Sequence, residues 1–291
     1  MKKNNLKTKI FLDSGDPEET KKVMEALGFL DGQTTNPSLI AKNPDAQARL
    51  ESGDKFSSEE VNEFYKEVIT DIRSQLTEGQ SISIEVYADA DTSAEDMIEQ
   101  GREMNKWIED AHIKLPTTKA GLEAANVLTG EGMRVNMTLV FTQSQSAAIY
   151  AATSGEKGDV FVSPFVGRLY DNGKTGMDLI RNVSEMYKDG GDGYVEVLVA
   201  SIRTIDHLVE TLEMEADIAT VPGKILMEWV ELGMPTSFEE LGRENQTENK
   251  DSIGLEDLNL NGEVEDFNIN HELTDKGLAK FAADWNGMVE G

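Results

Sequence analysis

Two residues before the proline that ends the apolar run Ala-His-Ile-Lys-Leu-Pro (111–116) stands a lysine, Lys114. Read as a strand, the run places Lys114 at a strand end inside the protein. Burial disfavours an ammonium ion and frees an amine to attack a ketone, so Lys114 is a candidate Schiff-base lysine. Composition removes most rival chemistries. The chain has no cysteine, hence no thiol nucleophile, disulfide or cysteine-ligated metal centre. His112, His207 and His271 are too far apart for a local metal motif, and none stands in an H-E-x-x-H pattern. Catalysis is left to Lys, Asp, Glu, Thr and Ser.

The elements that must position these residues show as short apolar runs alternating with longer amphipathic stretches. The runs predict eight strands, at 9–13, 30–35, 81–87, 111–115, 134–139, 159–163, 196–200 and 218–221. Helices are predicted between them, for example over 117–128, where Leu122, Ala125 and Leu128 recur at helical spacing, and over the alanine-rich 143–154. Continuous apolar strands alternating with helices imply a parallel sheet covered on both faces, and eight such units imply a closed (β/α)8 TIM barrel. All 291 residues then form a single barrel domain.

In such a barrel the carboxyl-terminal strand ends share one mouth. Asp13, Thr34, Asn36, Glu85, Lys114, Asn136, Thr138, Ser163, Arg168, Ser201 and Arg203 all lie on or just after those ends. Lys114 can form a carbinolamine and then an iminium with a ketose, and the iminium is an electron sink for carbon–carbon cleavage. Asp13 can take the proton of the hydroxyl at the breaking bond, and Glu85 with Thr138 can hold a proton-shuttling water. Asn36, Asn136 and Ser163 suit sugar hydroxyls. Arg168 and Arg203 suit a phosphate, with Ser201 adding a donor. Each residue also has a plainer reading: a solvated Lys114, surface ion pairs for Arg168 and Arg203, a helix cap at Asp13, a simple turn at 34–38.

The formal charge of −28 disfavours nucleic acid and anionic lipid as partners, so an anionic substrate needs a locally basic pocket. The basic amino terminus has no apolar stretch behind it and no later run approaches a membrane span, which points to the cytoplasm. Two segments break the alternation. Residues 43–58 read as a polar loop or helical insertion, and 239–272 as an acidic, mobile or appended insertion, with eleven acids against Arg243 and Lys250. Within the latter, 257–268 carries the first half of a calcium-loop pattern, but Asn268 stands where a bidentate glutamate belongs. The competing reading is a hairpin turning at Asn261-Gly262. The chain closes in a helix over 273–289 with Phe281, Ala282 and Trp285 on one face. It has two candidate positions, over the barrel mouth or against a second copy in a homo-oligomer.

These residues resemble the transaldolases, class I aldolase-type enzymes. The resemblance rests on Phe11-Leu-Asp13, Thr34-Thr-Asn36-Pro-Ser-Leu39, Ile84-Glu85-Val86, Ile113-Lys114-Leu-Pro116, Val135-Asn136-Met-Thr138-Leu139, Val162-Ser163-Pro-Phe165-Val-Gly-Arg168 and Val199-Ala-Ser201-Ile-Arg203, in the family's order. It implies that Lys114 is the Schiff-base lysine, Asp13 the acid/base at the cleaved bond, and Glu85 with Thr138 the water-mediated proton relay. It further implies that Asn36, Asn136 and Ser163 hold a dihydroxyacetone unit and that Arg168, Ser201 and Arg203 hold the phosphate. The implied reaction moves that unit from sedoheptulose 7-phosphate or fructose 6-phosphate to glyceraldehyde 3-phosphate or erythrose 4-phosphate, in the non-oxidative pentose phosphate pathway. It needs no metal and no organic cofactor.

Fructose 6-phosphate aldolases look similar, but commonly carry glutamine in place of Glu85 and tyrosine in place of Phe165. A tyrosine hydroxyl there helps water release the bound fragment, so Phe165 favours transfer over cleavage. The remaining alternatives are an aldolase-like lyase and a non-catalytic sugar-phosphate-binding barrel.

Overall fold

Each of the eight apolar runs becomes a strand of a computed structural model that describes residues 6–247 and 250–290. They are β1 (Lys9–Asp13), β2 (Gly32–Thr34), β3 (Ser81–Glu85), β4 (Ala111–Pro116), β5 (Val135–Val140), β6 (Val160–Pro164), β7 (Val195–Val199) and β8 (Ile218–Val221). All pair in parallel in chain order, and β8 pairs back onto β1 to close the (β/α)8 barrel. β3 to β8 are buried along their whole length, because helices cover the outer face and facing side chains fill the interior. Among the described residues no helix is long and apolar enough to cross a membrane.

Helix starts follow short polar side chains after the strand ends. Ser93, Thr118, Thr142 and Thr204 each accept a backbone N–H of the turn they open. The cap at Thr118 makes the helix after β4 begin at Lys119 rather than at residue 117, and it runs to Gly130. Residues 43–58 contain the helix Pro44–Glu51, capped by Asn43.

β5 carries the main irregularity. Its register with β6 shifts between Met137 and Val140, and Leu139 sits at φ 62°. This left-handed conformation is unfavourable for a residue with a branched side chain, so surrounding contacts must hold it. The terminal helix, Glu272–Met288, supplies them. Thr274 Oγ1 donates to Leu139 O at 2.9 Å, and a Cβ at Gly277 would come within 2.5 Å of Leu139 Cδ2.

The acidic segment is fastened to the barrel. After the short helix Phe238–Leu241, residues 250–271 cross the helices Gln143–Ala152 and Gly176–Gly190. Gln143 Nε2 donates to Gly254 O (2.8 Å), Asn182 Nδ2 to Ile253 O (2.9 Å) and Gln145 Nε2 to Ile269 O (3.0 Å). Leu260 and Phe267 are buried while most of the carboxylates face solvent. The expected hairpin does not form. Gly262 N bonds Asn259 O to close a turn, but Asp266 then accepts the Glu263 N–H, and the chain enters the 3-10 turn Val264–Asp266 instead of a second strand. Asn259 Oδ1, a ligand in the calcium pattern, accepts the Asn261 N–H. No cluster of three or more His, Asp or Glu that could hold a metal ion occurs among the described residues.

Packing behind β4 is tight. A Cβ on Gly121, in the first turn after that strand, would lie 1.9 Å from Pro116 O. Backbone cannot yield there without moving the strand end that carries Lys114. Gly121→Ala should therefore lower stability by about 1–3 kcal/mol, read as a lower urea midpoint at unchanged slope.

Candidate active site

Register builds the centre of the site. Lys114 pairs with Glu85 of β3 on one side and Asn136 of β5 on the other, so the three side chains share a row facing the interior. Lys114 Nζ lies 2.9 Å from Glu85 Oε2, with both side chains at most 5% exposed, and donates to Thr35 O at 3.1 Å. The contact with Glu85 is an ion pair whose alignment misses that of a hydrogen bond. Glu85 Oε2 and, one turn of the pleat along β5, Thr138 Oγ1 are buried oxygens without a hydrogen-bond partner among the described residues. Buried polar atoms of this kind are costly unless they meet a ligand or water; here the first lies 2.9 Å from the amine and the second belongs to a residue lining the same cavity as Lys114. Burial pushes the Glu85 carboxyl upward in pKa; Lys114 pulls it back, and Asp13 adds to the rise.

Asp13 ends β1 on the adjoining wall. It is enclosed by protein atoms yet keeps partial solvent access through the mouth. Its Oδ1 accepts from Thr34 Oγ1 (2.7 Å), which is also in contact with Thr220 Oγ1 (2.5 Å). Burial raises the Asp13 pKa against the opposing pull of Lys114, Thr34 and Lys42. The helix-cap reading of this residue does not apply, since Asp16 caps the helix Pro17–Leu27. Asn36 does serve as a cap: its Oδ1 accepts Leu39 N at 3.0 Å, so the amide nitrogen is the end left for a ligand. Asn136 links Ser83 and Ser163, donating to Ser83 Oγ (3.0 Å) and accepting from Ser163 Oγ (2.6 Å).

The cationic side comes from the loops after β6 and β7. Arg168 stacks its guanidinium against Phe165 (5.3 Å) and Phe281 (5.7 Å), with no carboxylate at ion-pair distance among the described residues. Burial and then the nearby Arg203 push its pKa down, both of which favour an incoming anion. Arg203 is half-exposed and ion-paired with Asp171, the surface pairing that its residue type alone suggested. Gly167 lets it approach, since a Cβ there would meet Arg203 Nε at 2.7 Å. Ser201 sits at φ 59°, a second left-handed non-glycine residue at the mouth.

All the candidates except Glu85 line one cavity of about 240 Å³; Glu85 lies behind Lys114. Sequence reasoning missed four polar contributors. Thr220, at the end of β8, obeys the same strand-end rule as the others. Ser38 stood inside the 34–39 motif without a role of its own, and Lys42 and Lys280 gave no signal: they come from helices beside the mouth, where lysine and serine are ordinary surface residues. Lys42, Lys114, Arg168, Arg203 and Lys280 face Asp13 across this cavity, a local excess of positive charge in a chain of net −28. A larger depression of about 670 Å³ beside His207 shares Arg203 with the mouth but lies outside the barrel.

A buried amine, two carboxyls of raised pKa and a cationic end can together form and break a carbon–nitrogen bond to an anionic carbonyl compound. Residues 10–290 match the family described as transaldolase/fructose-6-phosphate aldolase. The chain belongs to that family. Proteins described as probable transaldolases match it over nearly its whole length. One from Methanococcus maripaludis (strain C5) is 37% identical over 278 residues, 95% of this chain and 97% of the relative. One from Dehalococcoides mccartyi is 35% identical over 280 residues, 96% and 99% of the two chains, and one from a Geobacillus species is 35% identical over 278, 96% and 98%. This member of the transaldolase/fructose-6-phosphate aldolase family thus gathers a lysine, two carboxyls and a cationic end at the mouth of a closed barrel.

The raised Asp13 pKa has a stability consequence. The native state holds that proton more tightly than the unfolded chain, so the stability it contributes is complete below the ordinary value of 3.8 and lost as pH rises through the higher native value. Asp13→Asn should melt above wild type at about pH 8, with the gap closing as the solution is taken below about pH 4. Equal melting temperatures across that range would contradict the assignment.

Proposed function

We propose that the protein is a transaldolase working through a Schiff base on Lys114. The observation that carries this reading is the buried Lys114 amine held between Glu85 and Thr35 O, with Asp13 and Thr138 lining the same cavity. Lys114, once its proton has passed to Glu85, attacks the ketone carbon of sedoheptulose 7-phosphate or fructose 6-phosphate. A water held by Glu85 and Thr138 carries protons as the carbinolamine loses water to become an iminium. Asp13 takes the proton of the hydroxyl at the breaking bond, the aldose leaves, and the bond electrons pass into the iminium. The three-carbon enamine then attacks glyceraldehyde 3-phosphate or erythrose 4-phosphate, and hydrolysis of the new iminium frees the product.

Asn36, Asn136 and Ser163 are suited to the hydroxyls of the dihydroxyacetone unit, and Arg168, Ser201 and Arg203 to the phosphate. Thr34 keeps Asp13 oriented through their hydrogen bond. Phe165 brings a ring and no hydroxyl to the cavity, which supports transfer over release as dihydroxyacetone. The reaction calls for no metal or organic cofactor. Its partners are small sugar phosphates, its place is the cytoplasmic non-oxidative pentose phosphate pathway, and neither nucleic acid nor membrane takes part.

Borohydride reduction in the presence of fructose 6-phosphate tests the reading. A three-carbon adduct should map to Lys114 and vanish in Lys114→Ala, with sedoheptulose 7-phosphate formed when erythrose 4-phosphate is added to wild type. An adduct with free glyceraldehyde 3-phosphate and no transfer would make the enzyme an aldolase; no adduct would leave a binding barrel. Because Arg203 is already engaged by Asp171, Arg168→Ala should lower kcat/KM more than Arg203→Ala, by about 10- to 100-fold, the equivalent of about one charge-assisted hydrogen bond.

A further inference from the structure

Transfer through an enamine has a competing path. If the three-carbon enamine on Lys114 takes a proton from solvent at its nucleophilic carbon, it becomes an iminium. Water then adds to the ketone carbon, the carbinolamine collapses, and the Lys114 amine leaves as dihydroxyacetone departs. Each such event loses a donor without forming product, so something must keep water other than the one at Glu85 and Thr138 from the nucleophilic carbon until the acceptor arrives.

Phe281 of the terminal helix is placed to do this. Its ring is 6% exposed, lines the cavity, and is centred 5.9 Å from Lys114 Nζ and 5.7 Å from the Arg168 guanidinium. It therefore borders both the reacting nitrogen and the cationic end. The helix that carries it is held on three sides. Gly277 lies against Leu139 and Arg168, Asp284 accepts from Ser38, and Trp285 packs 5.7 Å from the ring of Tyr65, whose hydroxyl accepts the Glu85 N–H. An apolar ring fixed this way excludes water without offering a proton.

We propose that Phe281 is a positioning residue that shields the Lys114 adduct from water and so sets the partition of the bound three-carbon unit between transfer and hydrolysis. The inference rests on the Schiff-base reading above. Its measure is dihydroxyacetone released per sedoheptulose 7-phosphate formed from fructose 6-phosphate and erythrose 4-phosphate. Both products arise from the same bound intermediate, so the ratio is independent of the fraction of enzyme folded.

Phe281→Ala should raise the ratio roughly tenfold, about 1.4 kcal/mol of lost discrimination, while Phe281→Leu, which keeps the apolar bulk, should stay close to wild type. Should Phe281→Ala fail to fold, Phe281→Val is read in the same way. An unchanged ratio in the truncated variant overturns the proposal, as does an equal rise in Phe281→Leu. Borohydride trapping on wild type separates the two layers: no Lys114 adduct removes the underlying reading, whereas an adduct with an unchanged ratio removes only the role of Phe281.

Discussion

The site depends on one buried ion pair, Lys114 with Glu85, formed across neighbouring strands. Taking both charges out of water is expensive, and the pair survives only because the barrel supplies further partners. Thr35 O takes one Lys114 hydrogen, and Lys114 and then Arg168 pull the Glu85 pKa down against the rise that burial causes. Removing either member would strand the other, typically a loss of about 3–5 kcal/mol. Parallel register is what makes the arrangement reproducible. Glu85, Lys114 and Asn136 are partners in adjoining strands, so their side chains emerge in one row whatever the loops do.

The same constraint explains the charge distribution. A net charge of −28 repels anionic ligands, yet cations outnumber carboxylates along the cavity wall. Over distances beyond about 10 Å at 0.1 M salt the acidic surface is screened, while inside the cavity the local cations dominate. The acids on the strap formed by residues 250–271 and on the outer helices can thus be numerous without weakening anion binding at the mouth.

Most of the frame was legible because the barrel imposes a simple rule on sequence: strands buried on both faces must be apolar throughout, and polar residues at their ends need a reason. That rule located all eight strands and the residues converging on the cavity. It was blind to backbone strain. Nothing in Leu139 or Ser201 signals a left-handed conformation, since neither is glycine and both are held there by distant neighbours. It was blind also to Lys42 and Lys280, whose helices reach the mouth only after folding. The Asn261-Gly262 hairpin failed for the opposite reason, a strong local signal defeated by a carboxylate four residues on that captures the backbone first.

That segment matters to the mouth through its final residue. His271 caps the terminal helix by accepting Leu273 N through Nδ1 and stacks on Phe141 at 5.2 Å. Phe141 meets Phe165 edge-on at 5.8 Å, and Phe165 lies under Arg168. The cap requires a ring nitrogen that accepts, which the protonated imidazole lacks at that position, and burial lowers the His271 pKa in the required direction. An unbroken run of contacts thus joins the acidic strap to the guanidinium at the cationic end. Anchoring the strap by Gln143, Gln145 and Asn182 fixes where the terminal helix begins, and that start fixes how Gly277 and Phe281 meet the mouth. The strap is acidic because it is exposed, and its side-chain anchors on the barrel give the terminal helix, which lines the cavity through Lys280 and Phe281, its starting point.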